Sequence, residues 1–238
     1  MAMDGLSLAA VCKELNETVL GARIEKIYQP EKDELLLNLR SGRKLLLSAN
    51  AANCRVQLTA AKRQNPSEPP MLCMLMRKYL TNGRIAAVRQ AGLDRVLTIG
   101  ITATDDLGEP ATFSLIAEIM GKYSNVVLVK EDGTIVDAIR HVTPAISTVR
   151  ILMPGVQYEQ PPAQSKLNPA ELTKEQVYNA LLASSGRLDK AILSAFAGLS
   201  PAVAAEVAEH AAGDALIPFS ALDDQRKALC AGRTHAFF

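Results

Sequence analysis

The chain has 238 residues, enough for one or two domains with a full apolar core. It is 48% apolar but only 4% aromatic, with no Trp, so the core must be aliphatic and surfaces for stacking single-stranded bases are few. A net charge of +1 gives no hint of a polyanionic partner by itself. Residues 1–100, however, carry 15 Lys/Arg against 9 Asp/Glu, leaving 11 against 16 in the remainder, so the first half could present a basic face.

Cys12, Cys54, Cys73 and Cys230 lack CxxC spacing and read as reduced core residues. His141, His210 and His235 lie far apart without a second ligand at metal spacing, so neither a metal site nor a cofactor is expected. The N-terminus has no basic stretch followed by an apolar one, and no apolar run approaches the ~18 residues of a membrane span. The expectation is a cytoplasmic protein without membrane association.

In chain order, Asp4 can cap a helix carrying Leu8, Cys12, Leu15 and Val19 on one face, with Gly21 as its stop. Strands are predicted at Arg23–Gln29, Glu34–Leu39, Lys44–Ala49 and Arg55–Thr59, the middle two joined by a basic hairpin turn at 40–43. Three prolines between Asn65 and Pro70 exclude a sheet strand and open a Met-rich helix over Met71–Thr81. Further strands are predicted at Arg84–Gln90, Arg95–Ala103, Ala111–Ile119, Asn125–Lys130 and Thr134–Ile139, with turns at 91–94, 105–110 and 131–133. The segment Glu118 to Asn125 is a polar turn held between two core strands, with Gly121 free to adopt conformations closed to other residues.

These short strands with Gly turns define an α+β fold, an antiparallel sandwich or open barrel with flanking helices. Residues 1–160 form the first domain and the Pro-bracketed stretch 161–172 an exposed linker. Residues 173–238 form a small all-α domain, with helices expected at Lys174–Ser184, Arg187–Ala197, Pro201–Ala212 and Ser220–Cys230. Phe196–Pro201 has the look of a helix-hairpin-helix, whose Gly198 and Ser200 amides could meet a phosphate, although Ser200 stands where a second glycine is usual. No P-loop, dinucleotide-binding turn, nucleophile elbow or zinc-protease motif occurs, and no catalytic constellation is visible. On residue types alone, Asp94–Arg95 is a charged turn whose ion pair is worth ~0–1 kcal/mol. Arg55, Arg77 and Lys78 are further candidates for phosphate contact.

Several segments together carry a family resemblance. Met3-Asp4-Gly5, Tyr28-Gln29-Pro30, Leu46-Leu47-Ser48, Arg55 to Thr59, Asn65 to Met71, Gly92 to Arg95, Glu118 to Asn125 and Leu167-Asn168-Pro169 resemble the NFACT family, in the family's order and over essentially the whole chain. The resemblance implies an N-terminal domain similar to that of formamidopyrimidine DNA glycosylases, followed by a helix-hairpin-helix domain. It implies ribosome-associated quality control: binding to a large ribosomal subunit obstructed by peptidyl-tRNA, and recruitment of alanyl-tRNA for an untemplated alanine tail. It further implies tRNA contact by Asp94 and Arg95, by Glu118, Ile119 and Met120, and by the polar edge Lys122, Ser124 and Asn125. The family often has Arg-His where this chain has Lys122-Tyr123, which keeps the cation but loses the guanidinium fork. A coiled coil and a basic C-terminal module are expected to follow these residues, as neither lies within them.

Two other readings compete. The family's older name implies a fibronectin-binding surface adhesin, for which the chain shows no anchor or paired cysteines. A glycosylase activity follows only from fold analogy, and the Met-Ala-Met-Asp start lacks the N-terminal proline of that chemistry. The expectation is a non-enzymatic tRNA-binding module.

Overall fold

The computed structural model describes residues 3–104, 108–162 and 164–238. The fold is α+β, with two antiparallel sheets and six α-helices among the described residues. Helix α1 (Gly5–Thr18) precedes a four-stranded meander of β1 (Ile24–Glu31), β2 (Glu34–Leu39), β3 (Lys44–Ser48) and β4 (Arg55–Leu58). Helix α2 (Met71–Leu80) leads into a five-stranded meander of β5 (Arg84–Gln90), β6 (Val96–Thr104), β7 (Pro110–Glu118), β8 (Asn125–Lys130) and β9 (Ile135–Ala138). Within each sheet every strand pairs with its sequence neighbours, as short turns between antiparallel strands require. Strand β1 runs two residues past its expected end, through Pro30, which an edge strand tolerates because no ladder donor is needed on its open side. Of the turn expected at 105–110, Asp105, Asp106 and Leu107 lie outside the described residues, as does Ala163 of the expected linker and the initial Met1-Ala2.

The chain divides into two compact units. Ser7–Ala91 and Arg95–Pro161 make up most of the first, whose core joins Leu8 and Leu15 of α1, Leu72 and Met76 of α2 and inward residues of both sheets, including Leu35, Leu37, Leu97, Ile99, Leu115 and Leu128. A smaller cluster of Ile116, Val127, Val129, Ile135, Ala138 and Leu152 covers the opposite face of β7 and β8. Burial on both faces explains why Val126 to Val129 is apolar without alternation.

The second unit comprises Pro162–Phe238 with the short segments Asp4–Leu6 and Gly92–Asp94. Its helices are α3 (Lys174–Leu182), α4 (Leu188–Ala195), α5 (Pro201–Ala212) and α6 (Asp224–Phe237), packed around Val177, Leu188, Ile192, Phe196, Val207 and Phe219. Helix α3 opens on a reciprocal capping box between Thr173 and Gln176. Helix α6 begins four residues later than expected because Asp223 caps it by accepting from the Arg226 N–H, while Phe219–Ala221 is a separate 3-10 turn. Within the stretch expected as an exposed linker, the Leu167 N–H donates to the Ala195 carbonyl at 2.9 Å and the Ala197 N–H to the Leu167 carbonyl at 2.8 Å.

Candidate functional site

Register places the two expected recognition segments at one end of the second sheet. Val96 pairs with Glu118 across β6 and β7, and the Ile119 N–H donates to the Arg95 carbonyl at 2.8 Å. Glu118 in turn faces Asn125 across β7 and β8. Arg95 is half-buried, and no ion pair of it is found among the described residues.

The turn between β7 and β8 is a 3-10 turn, Gly121–Tyr123. Gly121 has φ +58°, a left-handed conformation costly for residues with a Cβ. Ser124 Oγ accepts from the Met120 N–H at 2.8 Å, while the Ser124 N–H donates to the Gly121 carbonyl at 3.0 Å. Asn125 extends the ladder with its side chain. Its Oδ1 accepts from the Arg140 N–H at 3.0 Å, and its Nδ2 donates to the Arg140 carbonyl at 2.8 Å. The Arg140 guanidinium then donates to the Lys122 and Ala49 carbonyls, both at 2.9 Å. The 3-10 turn, the loop after β3 and the chain following β9 are thereby tied together. Replacing Asn125 by Leu leaves the Arg140 amide and carbonyl without these partners, and an expected cost of ~1–3 kcal/mol should appear in denaturant unfolding.

Glu118 is fully buried. Arg150 grips its carboxylate with both Nη groups, the Nη1 bond to Oε1 measuring 2.8 Å, and the Tyr158 hydroxyl donates to the same Oε1 at 2.8 Å. Burial works against the Arg150 charge, yet the hydrogen bond and charge of Glu118 outweigh it and raise the guanidinium pKa. Burial, followed by the charge of Glu118 and its hydrogen bond, pushes the Tyr158 phenol up, so it remains a protonated donor.

Burial sorts the expected tRNA contacts. Glu118, Ile119, Ser124 and Asn125 are buried and hold the turn from inside. Met120 is half-buried, Asp94 and Lys122 are exposed, and Tyr123 is 71% exposed. Lys122 Nζ lies 4.9 Å from the Tyr123 ring centroid, a cation–π distance. Sequence reasoning missed Arg140, Arg150 and Tyr158, and named Tyr123 only as the second member of the Lys122-Tyr123 pair. One signal was present for Arg150: an acid inside an apolar strand run requires a buried cationic partner.

The expected phosphate contacts also separate. Arg55 is paired with Glu34 at 3.6 Å, and Lys78 Nζ lies 5.0 Å from the Tyr79 ring centroid. In the second unit, Ser200 caps α5 through its Oγ, and its N–H already donates to the buried Asp4 carboxylate at 3.2 Å. Gly198, at φ +80°, packs against Leu93 and accepts from the Leu6 N–H at 3.2 Å. The Ser200 amide, expected to meet a phosphate, therefore has an internal carboxylate partner. Arg77 lines a cleft.

A two-sheet α+β unit with an exposed cationic turn at one sheet end, followed by a helical unit, defines the class of protein. The family model for NFACT N-terminal and middle domains matches residues 4–235, and the chain belongs to that family. It is similar to the Rqc2 homolog RqcH of Bacillus subtilis, with 41% identity over 217 residues, covering 90% of this chain and 38% of that protein. It is also 38% identical to the Rqc2 homolog RqcH of Streptococcus suis, covering 94% of this chain and 41% of that protein. The chain thus spans about two fifths of the length of these relatives. Among solved structures, the N-terminal part of the fibronectin/fibrinogen-binding protein from Streptococcus suis matches with a TM-score of 0.82 and 35% identity, over 97% of this chain and 84% of that one.

Proposed function

We propose that this chain is the tRNA-binding part of a ribosome-associated quality control factor, with contact made at the end of the second sheet by Arg95, Lys122, Tyr123 and the edge of Met120. The observation that carries this reading is the strand register, which brings Arg95 beside Ile119 at the sheet end bearing the exposed Lys122–Tyr123 turn. Cationic N–H donors suit phosphates, and an exposed aromatic ring suits an unstacked base. Asp94 precedes Arg95 in the chain and is well placed in sequence to orient it. Glu118, Ser124 and Asn125 serve by keeping the turn rigid, so little conformational entropy is lost on binding. In the longer protein, this reading extends to obstructed large ribosomal subunits carrying peptidyl-tRNA and to recruitment of alanyl-tRNA, without enzymatic chemistry in this part.

The test is retardation of bacterial tRNA by the purified chain across a salt series. Arg95→Ala with Lys122→Ala should weaken binding and flatten the salt dependence by about one ion for each phosphate no longer engaged, with unchanged thermal unfolding. Wild-type affinity and slope in the double variant would remove the site, and sequencing of bound tRNA would show whether tRNA-Ala is enriched. The name of the Streptococcus suis neighbour supports a second reading, fibronectin or fibrinogen binding. Saturable fibronectin binding that tRNA does not compete away would favour it.

A further inference from the structure

A small cleft in the first unit draws on three sequence segments, none of them at the sheet end proposed for tRNA contact. Tyr28 and Gln29 of β1 form one wall, Arg77 of α2 another, and Asn65 and Ser67 of the Pro-rich loop close it. Its volume is about 170 Å³, below the ~300–1,000 Å³ of pockets for drug-sized ligands and suited to one small group.

Arg77 dominates its chemistry. The Arg77 Nε donates to the Ile27 carbonyl at 2.8 Å, and the guanidinium carbon lies 5.6 Å from the Tyr28 ring centroid. These two anchors fix the guanidinium plane and leave both Nη groups, with their four N–H bonds, for a ligand. Arg77 is half-buried, no acidic side chain lines the cleft, and no ion pair of Arg77 is found among the described residues. A cation held away from full hydration without a counter-charge favours an anion beside it. Asn65 and Ser67 add neutral donors, and the loop prolines limit the entropy lost when the loop closes on a ligand. Gln29 is wall and not donor, since it is 6% exposed and its Nε2 donates to the Lys32 carbonyl at 3.1 Å.

We propose that this cleft binds a phosphate group through the Arg77 fork, with Asn65 and Ser67 completing its hydrogen bonds. Phosphate is favoured over a carboxylate because its three acceptor oxygens can engage the fork and the loop donors together. The group is either a backbone phosphate of RNA or that of a small free metabolite.

Nuclear magnetic resonance of the chain, titrated with inorganic phosphate at constant ionic strength, tests this. Saturable shifts are expected at the Ser67 amide and the Arg77 Nε–H, with affinity reduced about tenfold or more in Arg77→Gln. Because Arg77 also braces Ile27, Ser67→Ala and Asn65→Ala on the exposed loop give a second measure, each weakening phosphate binding without altering thermal unfolding. Uridine monophosphate and hexauridylate separate the sources: tighter hexamer binding with the same Arg77 dependence assigns an RNA backbone, and tighter binding of the mononucleotide or free phosphate assigns a metabolite. The proposal is overturned by the absence of saturable shifts, by shifts that persist in Arg77→Gln, or by an equal response to acetate. None of these variants touches Arg95 or Lys122, so the outcome is separable from that of the tRNA reading.

Discussion

Replacing Glu118 by Ala is expected to destabilise the first unit by ~3–5 kcal/mol, the cost of stripping a buried ion pair of one member. The carboxylate is fully buried and accepts from Arg150 and Tyr158, so its removal leaves a guanidinium whose side chain is only 13% exposed and a phenolic hydroxyl with no acceptor. Arg150→Ala should cost a similar amount by exposing the opposite charge to the apolar strand. The double variant Glu118→Leu with Arg150→Met should recover much of the loss, because an apolar pair needs no partner. Denaturant unfolding of the wild type, Glu118→Leu, Arg150→Met and the double variant forms the cycle, and additive losses would show that the two side chains act independently. This changes how a loss of tRNA binding in a Glu118 variant should be read. Such a loss would report a disordered turn, and in the rescued pair Arg95 and Lys122 should bind again.

The second large effect is expected at Gly5. A Cβ there would lie 2.0 Å from the Leu93 carbonyl oxygen and 2.6 Å from Gly198 Cα, both backbone atoms of the second unit. No rotamer relieves a backbone overlap, so Gly5→Ala should cost ~3 kcal/mol or more, at or beyond the top of the usual range for overpacking. Gly186→Ala is the control. It has φ +80° but open space around it, so only the left-handed penalty of ~1–2 kcal/mol applies. Thermal unfolding of the two variants should rank Gly5→Ala as clearly the worse, and equal losses would show that the close approach at Gly5 is not maintained in solution.

The strands and the helix α2 were legible because their signals are local: period-two alternation, Gly turns and the Pro-rich lead-in all lie within a few residues. Positions of the short segments were not. Asp4–Leu6 and Gly92–Asp94 belong to the helical unit, which no sequential boundary could express, since their partners at Gly198 and Ser200 lie about a hundred or more residues away. For the same reason Asp4 read only as a helix cap. At the candidate site, Gly121 and Ser124 announced the turn by residue type, and Glu118 read as part of the polar insert between two apolar runs. Which cation answers it was hidden, because Arg150 sits in an irregular stretch without periodicity to aim it. Burial then sets Glu118 and Asn125 inside and leaves Tyr123 outside.

The covering of β7 and β8 on both faces bears on how this architecture can change. Side chains along those strands are fixed by neighbours above and below, so substitution there disturbs packing. At the sheet end, Lys122 and Tyr123 project from a turn whose backbone is held by Ser124, Asn125 and Arg140. On the proposed reading recognition is decoupled from folding: the two exposed positions should be exchangeable for other cationic or aromatic pairs with little effect on stability. A library randomised at 122 and 123 alone should therefore yield mostly folded proteins that differ in what they bind.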